Sequence, residues 1–178
     1  MKLIKIFKVI RRLIIERSSV DRRIEFLRKQ GVQIGERCII ETMDFSTEPY
    51  LVEIGDDVAI AGGTVFITHD AGINCFRDEF PDDDVFGKIK IGNKVFIGSN
   101  CTLLPNTTIG NNTIIGAGST LRGTYPNNVV IAGNPAKVIT NIRVQRLLYK
   151  QNPGRLATYK MTDQEKKPYV IAHFRKLR

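Results

Sequence analysis

Histidine is the residue type in this chain best suited to acid–base chemistry near neutral pH, because its imidazole changes charge in that range. The 178 residues include two histidines, His69 and His173. His69 stands in the segment FITHDA, directly before an acidic, polar stretch over residues 70–88, whereas His173 lies in a basic tail where a solvated or packing role is typical. No nucleophilic motif accompanies His69. An isolated histidine indicates a general base that deprotonates an acceptor, which then attacks an activated acyl group directly.

The remaining chemistry-bearing residues argue against several classes of site. Zinc takes three or four convergent His, Cys or carboxylate ligands, and the region around His69 holds one histidine, so no metal site is expected. The three cysteines form no CxxC pair, and we interpret them as free, buried thiols of a protein from a reducing cytoplasm: Cys38, Cys75 and Cys101. The chain also lacks GxSxG and P-loop motifs.

The element that must position His69 is visible as a six-residue repeat. An aliphatic residue returns at every sixth position along residues 91–121: Ile91, Ile97, Leu103, Ile109, Ile115 and Leu121. Neither the 3.6-residue period of a helix nor the 2-residue period of a strand explains this spacing. The fourth position of successive hexapeptides carries mostly residues that tolerate positive φ: Lys94, Asn100, Asn106, Asn112, Gly118 and Thr124. The pattern predicts a solenoid in which each hexapeptide forms one side of a prism.

The same frame extends in both directions and places His69. Upstream it slips between Ile40 and Ile54 and continues to Phe66; downstream it includes one further turn at Ile131–Ala136. His69 takes the fourth position of the hexapeptide that Phe66 opens, which is a corner, so its side chain should leave the core. The stretch 70–88 breaks the repeat and must leave the prism as a loop, and long loops on a rigid scaffold are usually functional.

The charge distribution divides the chain into three segments. Residues 1–31 carry a net charge of +7, residues 32–140 a net charge of −6, and residues 141–178 a net charge of +8. We interpret them as a basic helical cap, a solenoid domain with the extruded loop 70–88, and a basic C-terminal extension. Within the cap we expect an amphipathic helix over residues 2–15 and a second helix from Val20 to Gln30, opened by a capping box of Ser18 and Asp21.

The two basic ends leave open which partner they contact. The chain has no apolar run of 18 residues and no signal peptide, which predicts a cytoplasmic protein. Besides covering the solenoid end, the N-terminal helix could rest on an anionic membrane surface, so peripheral contact with the inner membrane stays open. No nucleic-acid motif or aromatic platform accompanies the charge, and we expect no nucleic-acid partner. In the tail we expect a helix near Asn141–Lys150, a break at Pro153-Gly154, and a helix start at Thr162, with Pro168 working against a continuous helix.

These residues together resemble the bacterial hexapeptide-repeat acyltransferases, in particular the galactoside/maltose acetyltransferases and the sugar O-acetyltransferases of capsule and lipopolysaccharide pathways. The resemblance covers about Gly31 to Ile142. It rests on ITHD before an extruded loop, on KIKIGNKVFIGSNCTLLPNTTIGNNTIIGAGST, and on NNVVIAGNPAKVI. It implies an all-β fold, the left-handed parallel β-helix, and a homotrimer with its active sites between subunits. It also implies acetyl-CoA as the donor, lying in the groove between neighbouring prisms.

The resemblance further assigns roles to individual residues. His69 matches the catalytic base; the small corner residues Gly98, Ser99 and Ala117 match the lining of the pantetheine channel. Lys137 matches a basic residue near the nucleotide phosphates. Arg122 stands where the family often has a lysine, and it could contact the phosphates in its place. Candidate acceptor contacts are Asp44 with Glu48, one prism turn before His69, and Asp70 and Arg77 in the loop, while Phe96 stands where an aromatic flanks the site.

The implied reaction is transfer of an acetyl group from acetyl-CoA to a sugar hydroxyl, with His69 as the base. One alternative is N-acetylation of an amino sugar carried on a nucleotide, with Arg77 on the diphosphate. An alternative of another class is a solenoid scaffold that catalyses nothing and binds partners through its basic ends.

Overall fold

A computed structural model of the chain describes residues 14–176. Its helices are α1 (Val20–Lys29), α2 (Ile142–Gln151) and α3 (Asp163–Lys176). Fourteen strands of two to six residues lie between α1 and α2: β1 (Gln33–Ile34), β2 (Ile39–Ile40), β3 (Val52–Ile54), β4 (Ala59–Ile60), β5 (Val65–Phe66), β6 (Ile89–Ile91), β7 (Val95–Ile97), β8 (Thr102–Leu103), β9 (Thr108–Ile109), β10 (Thr113–Ile115), β11 (Thr120–Leu121), β12 (Thr124–Tyr125), β13 (Val129–Gly133) and β14 (Ala136–Asn141).

The strands form the three faces of a prism. The first sheet has the order β1-β3-β6-β9-β12, the second β2-β4-β7-β10-β13 with β14 beyond β13, and the third β5-β8-β11. Every pairing within these sheets is parallel except that of β13 with β14. From β3 to β13, successive strands along the chain fall on successive faces, so the chain winds as the prism-shaped solenoid that the hexapeptide frame predicts.

The aliphatic residue of each hexapeptide points into the prism. These side chains stack in register from coil to coil, as Phe66, Leu103 and Leu121 do on the third face. They are at most 5% exposed, and they form the core together with a few neighbours: Ile40, Ile54, Ile60, Phe66, Ile91, Ile97, Leu103, Ile109, Ile115, Leu121 and Ile131. Burial of apolar surface by this column is the main stabilising term of the solenoid.

The corners need the left-handed backbone region, as the frame predicts. Positive φ occurs at Lys94, Asn100, Asn106, Asn112 and Gly118, the fourth positions of five successive hexapeptides. The expectation for Thr124 is wrong, because the corner before it closes one residue earlier, at Gly123 with φ of 88°. That tighter corner lets Thr124 begin β12, in register with Thr108.

Two interruptions explain the breaks in the repeat. The slip between Ile40 and Ile54 is taken up by residues 46–51, which end in a 3-10 turn at Pro49–Leu51. The second interruption, residues 70–88, leaves the prism between β5 and β6 and begins with a 3-10 helix at Ala71–Phe76. Both interruptions depart from the corner that joins the third face to the first.

Helix α1 packs against the first coil. Ile24 and Leu27 are buried in the core cluster beside Val32, and the helix contacts β1 and β2. The buried Arg23 ties the helix to the coil, because its Nε donates to the Ile40 carbonyl at 3.0 Å and its Nη2 pairs with Glu41 at 2.6 Å. The helix bounds agree with the sequence expectation. Whether the segment serves as a cap stays a prediction, and most of the amphipathic helix expected over residues 2–15 lies outside the described residues.

The capping box expected at Ser18 and Asp21 is wrong. Ser19 is the N-cap residue of α1 and makes no side-chain capping bond. The Ser18 hydroxyl instead donates to the Ile15 carbonyl at 2.6 Å, which closes the preceding turn. This local bond to the backbone takes the place of the bond to the first helical turn that a capping box requires.

The chain divides into two compact units, residues 1–142 and residues 143–178. In the second unit α3 runs through Pro168 without a break. Thr162 and Glu165 form a capping box at its start, with the Thr162 amide donating to the Glu165 carboxylate at 2.8 Å. The hydrogen bond from the Thr162 amide is the largest of the effects that lower the pKa of Glu165. Within residues 14–176, none of the helices is long and apolar enough to cross a bilayer.

Candidate active site at the histidine corner

His69 lies where the extruded loop leaves the prism. Its backbone pairs with Phe86 in an isolated antiparallel bridge. On either side of it the Asp70 amide donates to the Val85 carbonyl at 2.8 Å, and the Gly87 amide donates to the Thr68 carbonyl at 2.9 Å. The imidazole packs on the Phe86 ring with centroids 4.8 Å apart. Since its side chain is 31% exposed, the ring is held in place and still reachable from solvent.

Glu48 faces one nitrogen of His69 from the neighbouring coil. Asp44 is bridged to Val65, so the two coils are offset by 21 residues, and the same offset puts Glu48 beside His69. Glu48 Oε1 lies 3.9 Å from His69 Nδ1, and its side chain is 13% exposed. The Thr68 hydroxyl donates to Glu48 Oε2 at 3.2 Å, which fixes the carboxylate. A carboxylate on Nδ1 favours the tautomer with its proton there and leaves the Nε2 lone pair for an incoming proton.

Asp84 faces the other nitrogen of His69. Its Oδ1 lies 3.7 Å from His69 Nε2. The same oxygen is 3.1 Å from Arg77 Nη2. The imidazole therefore stands between two carboxylates, one on the prism and one on the loop.

Arg77 organises the loop from within. Beyond Asp84, its guanidinium donates to the Asn74 side chain at 2.9 Å and to three backbone carbonyls of the loop, those of Phe80, Pro81 and Asp83. These bonds use all the donor nitrogens of the guanidinium. Arg77 is thus a structural element of the loop, and contact with a sugar or nucleotide phosphate would require the loop to open.

Asp70 and Arg122 meet at the same corner. Asp70 Oδ1 accepts from the Gly72 amide at 3.0 Å and caps the 3-10 helix, while its Oδ2 lies 3.3 Å from Arg122 Nη2. Asp44 bridges to Val65 on the third face and is exposed there. The structure therefore brings together His69, Glu48, Asp70, Arg77, Asp84 and Arg122, and we call this set the histidine corner.

The residues predicted for the donor lie on a different edge of the prism. Gly98, Ser99 and Ala117 share the corner between the second and third faces. There the Gly118 amide donates to the Ser99 carbonyl at 2.9 Å, and a Cβ on Gly98 would meet the Ala117 amide nitrogen at 2.6 Å. We call residues 98–100 and 116–118 the small-residue corner. Lys137 is exposed on β14, opposite Ala132, whose Cβ is the nearest atom to a Cβ added at Gly116.

The two corners lie on opposite edges of the third sheet. Strand β8 (Thr102–Leu103) separates the small-residue corner from the chain segment that stacks on His69, so a molecule touching both within one protomer would have to span that face. Arg122, which the resemblance groups with the donor residues, lies on the histidine side. Phe96 lies on the second face and is exposed there.

The metal-binding residue types and the thiols bear on two of the sequence expectations. Among residues 14–176, no three His, Cys, Asp or Glu side chains converge as metal ligands. Cys38 and Cys101 are free and buried, and burial raises the pKa of both thiols. The expectation that all three cysteines are buried is wrong for Cys75, which is exposed because it sits in the loop outside the prism.

The sequence singled out His69 but not Asp84, whose carboxylate lies 3.7 Å from the imidazole. The run Asp82–Asp84 has the composition of a solvated loop, and no spacing rule marks one of the three carboxylates as the one that folds back. Glu48 was detectable only as a residue about one turn before His69, because the regular 18-residue step from Phe96 to Ile114, counted back from His69, reaches Leu51. The sequence did not distinguish Glu48 from Asp44 as the carboxylate at the imidazole.

Comparison with known proteins places the chain in a family. The family model described as bacterial transferase hexapeptide (six repeats) matches residues 88–123. Protein CapG of Staphylococcus aureus is 43% identical over 155 residues, which cover 85% of this chain and 89% of CapG. The galactoside O-acetyltransferase of Escherichia coli K12 is 35% identical over 133 residues, covering 71% of this chain and 62% of that protein.

The fold comparison agrees. The crystal structure of a maltose O-acetyltransferase from Clostridium difficile 630 is 28% identical, with a TM-score of 0.56 over 71% of this chain and 78% of that one. This likeness, with the hexapeptide match, confirms the left-handed parallel β-helix that the family resemblance implies. The chain belongs to the bacterial hexapeptide-repeat acyltransferases, a family of enzymes.

Proposed function

We propose that the protein transfers an acetyl group from acetyl-CoA to a sugar hydroxyl, with His69 as the general base. The observation that carries the proposal is the placement of His69. Its Nδ1 faces Glu48 at 3.9 Å, and the ring stays partly open to solvent at the mouth of an extruded loop. An imidazole held by a carboxylate on one nitrogen is an effective proton acceptor on the other.

In the proposed reaction His69 Nε2 takes the proton of the acceptor hydroxyl as its oxygen attacks the thioester carbonyl. The C–O bond forms, and a tetrahedral oxyanion develops that backbone N–H groups near the loop would stabilise. Collapse of this intermediate breaks the C–S bond, and the proton on His69 passes to the departing thiolate. The products are the acetyl ester and free CoA, and no covalent enzyme intermediate is needed.

The small-residue corner supports acetyl-CoA as the donor. Ser99, Ala117 and Gly118 are exposed there and carry little or no side chain, so a thin pantetheine arm can lie close to backbone amides and carbonyls. Arg122 and Lys137 are exposed cations that would suit the nucleotide phosphates. We propose Gly98, Ser99, Ala117, Arg122 and Lys137 as the donor-binding residues.

The acceptor proposal draws on the relatives and on the loop. Two relatives carry the names galactoside O-acetyltransferase and maltose O-acetyltransferase, which favours a sugar hydroxyl. N-acetylation of a nucleotide-linked sugar is less well supported, because the Arg77 guanidinium proposed for the diphosphate is engaged within the loop. Asp44 and Asp70 stay candidates for contacts to the acceptor.

We infer a homotrimer from one exposed face of the prism. The outward residues of the second sheet form an apolar stripe in register: Ile39, Ala59, Phe96, Ile114 and Val130. Ile39 is 49% exposed and Phe96 46% exposed. The equivalent stripe on the first sheet is polar: Gln33, Glu53, Lys90, Thr108 and Thr124. Packing of the apolar face against copies of the chain would bury it and bring the small-residue corner of one subunit to the histidine corner of the next.

We also propose peripheral contact of the basic ends with an anionic membrane surface. Residues 141–178 carry a net charge of +8. Helix α2 exposes Leu147 and Leu148, with a basic stripe of Arg143, Arg146 and Lys150 at helical spacing. Basic and apolar side chains combined on one helix favour the lipid interface. Flotation with vesicles that contain or lack anionic lipid, using the full chain and a form without residues 1–16, tests this; equal recovery in all cases would contradict it.

The central test compares the two histidines. His69→Ala should lower the rate of acetyl transfer to a sugar about 10²- to 10⁴-fold, the usual contribution of a general base. The variant should remain folded, since the side chain contributes little to the core. The matched control is His173→Gln, because His173 contacts the Pro153 carbonyl in the C-terminal unit. Wild-type activity in His69→Ala would overturn the assignment.

A further inference from the structure

The loop carboxylate of Asp84 stands on the reactive side of His69. Glu48 occupies the Nδ1 side of the imidazole, and in the proposed reaction Nε2 is the nitrogen that receives the acceptor proton. Asp84 Oδ1 is 3.7 Å from this Nε2. The acceptor hydroxyl must therefore bind within hydrogen-bonding distance of Nε2 and in contact with the Asp84 carboxylate.

The position of Asp84 is fixed by Arg77. Arg77 Nη2 is 3.1 Å from Asp84 Oδ1. Arg77 is itself anchored by the Asn74 side chain and by loop carbonyls, with the Asp83 carbonyl at 2.5 Å. The Asp84 side chain is nevertheless 47% exposed, so an acceptor arriving from solvent can reach it. Asp84 thus combines a defined position with an accessible carboxylate.

In the Nδ1–H tautomer that the proposed general base requires, Nε2 and the Asp84 carboxylate are both hydrogen-bond acceptors, and neither donates to the other. A single hydroxyl carries one hydrogen and pairs with one of the two. Two hydroxyls on adjacent ring carbons supply two donors side by side, each able to reach its acceptor at an ordinary distance of about 2.7–3.0 Å. Two acceptors 3.7 Å apart match that pair of donors.

We propose that Asp84 binds the hydroxyl adjacent to the one that is acetylated, so that the acceptor is a vicinal diol. This inference rests on the proposed sugar O-acetylation and names the part of the sugar that the loop recognises. An acceptor without the neighbouring hydroxyl leaves the Asp84 carboxylate without that donor when the site closes, and such a site discriminates strongly against the analogue.

The test measures how much the neighbouring hydroxyl contributes, with and without the carboxylate. Methyl hexopyranosides of the gluco, galacto and manno series serve as acceptors with acetyl-CoA, and NMR of the product identifies the acetylated position. For the best acceptor, kcat/KM is compared with that of the deoxy analogues at each adjacent carbon. In the wild type one analogue should be poorer by about tenfold to a hundredfold, as expected for a lost hydrogen bond to a charged group.

Asp84→Asn is the diagnostic variant. The deoxy penalty is the kcat/KM of the parent sugar divided by that of its deoxy analogue. In Asp84→Asn this ratio should fall close to one, while the KM for acetyl-CoA stays unchanged. Asp82→Asn removes the same charge from the same loop at an exposed side chain outside the histidine corner, so it should keep the wild-type penalty. The ratio of parent to deoxy sugar isolates the contact, because a loosened loop lowers activity on both sugars equally.

Three results would overturn the proposal. An unchanged deoxy penalty in Asp84→Asn would reduce Asp84 to a structural residue of the loop. Acetylation at a carbon whose neighbours carry no hydroxyl would exclude the diol. If the wild type acetylates none of the sugars, the proposed O-acetylation itself fails and the diol fails with it; in the first two cases the parent sugar is still acetylated, which separates the two failures.

Discussion

Glu48 Oε1 lies 3.9 Å from His69 Nδ1, although the two residues are 21 positions apart in the chain. They meet because Asp44 bridges to Val65 and the irregular segment after Asp44 brings Glu48 back beside His69. The pairing gives the two imidazole nitrogens different surroundings. Nδ1 faces a largely buried carboxylate of the prism, and Nε2 faces the loop and solvent.

Glu48→Gln should slow acetyl transfer at least about tenfold, because the amide no longer favours the Nδ1–H tautomer or stabilises the imidazolium that forms during the reaction. The Thr68 hydroxyl can still donate to the Gln oxygen, so the fold should hold. The measurement is kcat with saturating acetyl-CoA, alongside the melting temperature. Glu36→Gln, which removes an exposed carboxylate paired with Arg28, is the control and should keep wild-type kcat. Equal rates for the two variants would argue that Glu48 has no role in orienting the base.

Gly87 closes the base of the loop, and a side chain there has no room. A Cβ would meet the Asn106 amide nitrogen at 2.6 Å and Pro105 Cβ at 2.7 Å. Gly87→Ala should therefore cost about 1–3 kcal/mol of stability and displace the Phe86 bridge to His69, lowering kcat as well. Thermal melting and steady-state kinetics measure the two effects. For the melting temperature the control is Gly62→Ala, whose Cβ would lie 3.5 Å from the Glu41 carbonyl oxygen; it should melt close to the wild type. Full stability of Gly87→Ala would show that the loop base adapts freely.

The inward column should dominate the stability of the solenoid. Leu103 is fully buried, whereas its neighbour Thr102 faces outward on the same strand. Leu103→Ala should lower the free energy of unfolding by about 2–5 kcal/mol through lost burial and the cavity left behind. Thr102→Ala should change it by less than about 1 kcal/mol. Chemical denaturation of both variants checks the inward and outward assignment, and similar losses would contradict the register of β8.

The thiols should differ sharply in reactivity. Burial raises the pKa of Cys38 and Cys101, so these thiols stay protonated and unreactive near neutral pH, while Cys75 is exposed on the loop. A thiol-specific reagent should therefore label one cysteine in the native protein and all three after unfolding. Cys75→Ser should remove the native reaction. Rapid labelling of that variant without denaturant would show that the core thiols are accessible.

Much of the fold follows from short-range sequence information. The six-residue spacing of aliphatic residues, with Asn or Gly at most corners, predicts both the prism and the direction of each side chain. It also places His69 at a corner before an extruded loop. The corner at Gly123 escapes prediction, because the step from Leu121 to Tyr125 is two residues shorter than the equivalent step from Leu103 to Ile109, and only the register of β12 against β9 shows this.

The residues proposed for the donor lie at two different corners of the prism, although their motifs suggest one site. Gly98, Ser99 and Ala117 lie together, as their equivalent positions in successive coils require. Arg122 follows closely in the chain but lies across the third face, paired with Asp70. The position of a residue within the repeat determines the face of the prism on which it lies. The ion pair of Arg122 with Asp70 depends instead on the conformation of the loop over residues 70–88.

The solenoid, the inward column and the corner position of His69 all follow from the amino-acid pattern, because a strict repeat makes each residue's direction a local property. Only the tertiary structure decided that Glu48 and Asp84 flank the imidazole and that Arg77 is engaged within the loop. The coil offset that brings Glu48 to His69 depends on the irregular segment 46–51, and the return of Asp84 depends on a loop held by its own hydrogen bonds. Neither follows a period that a sequence pattern can express.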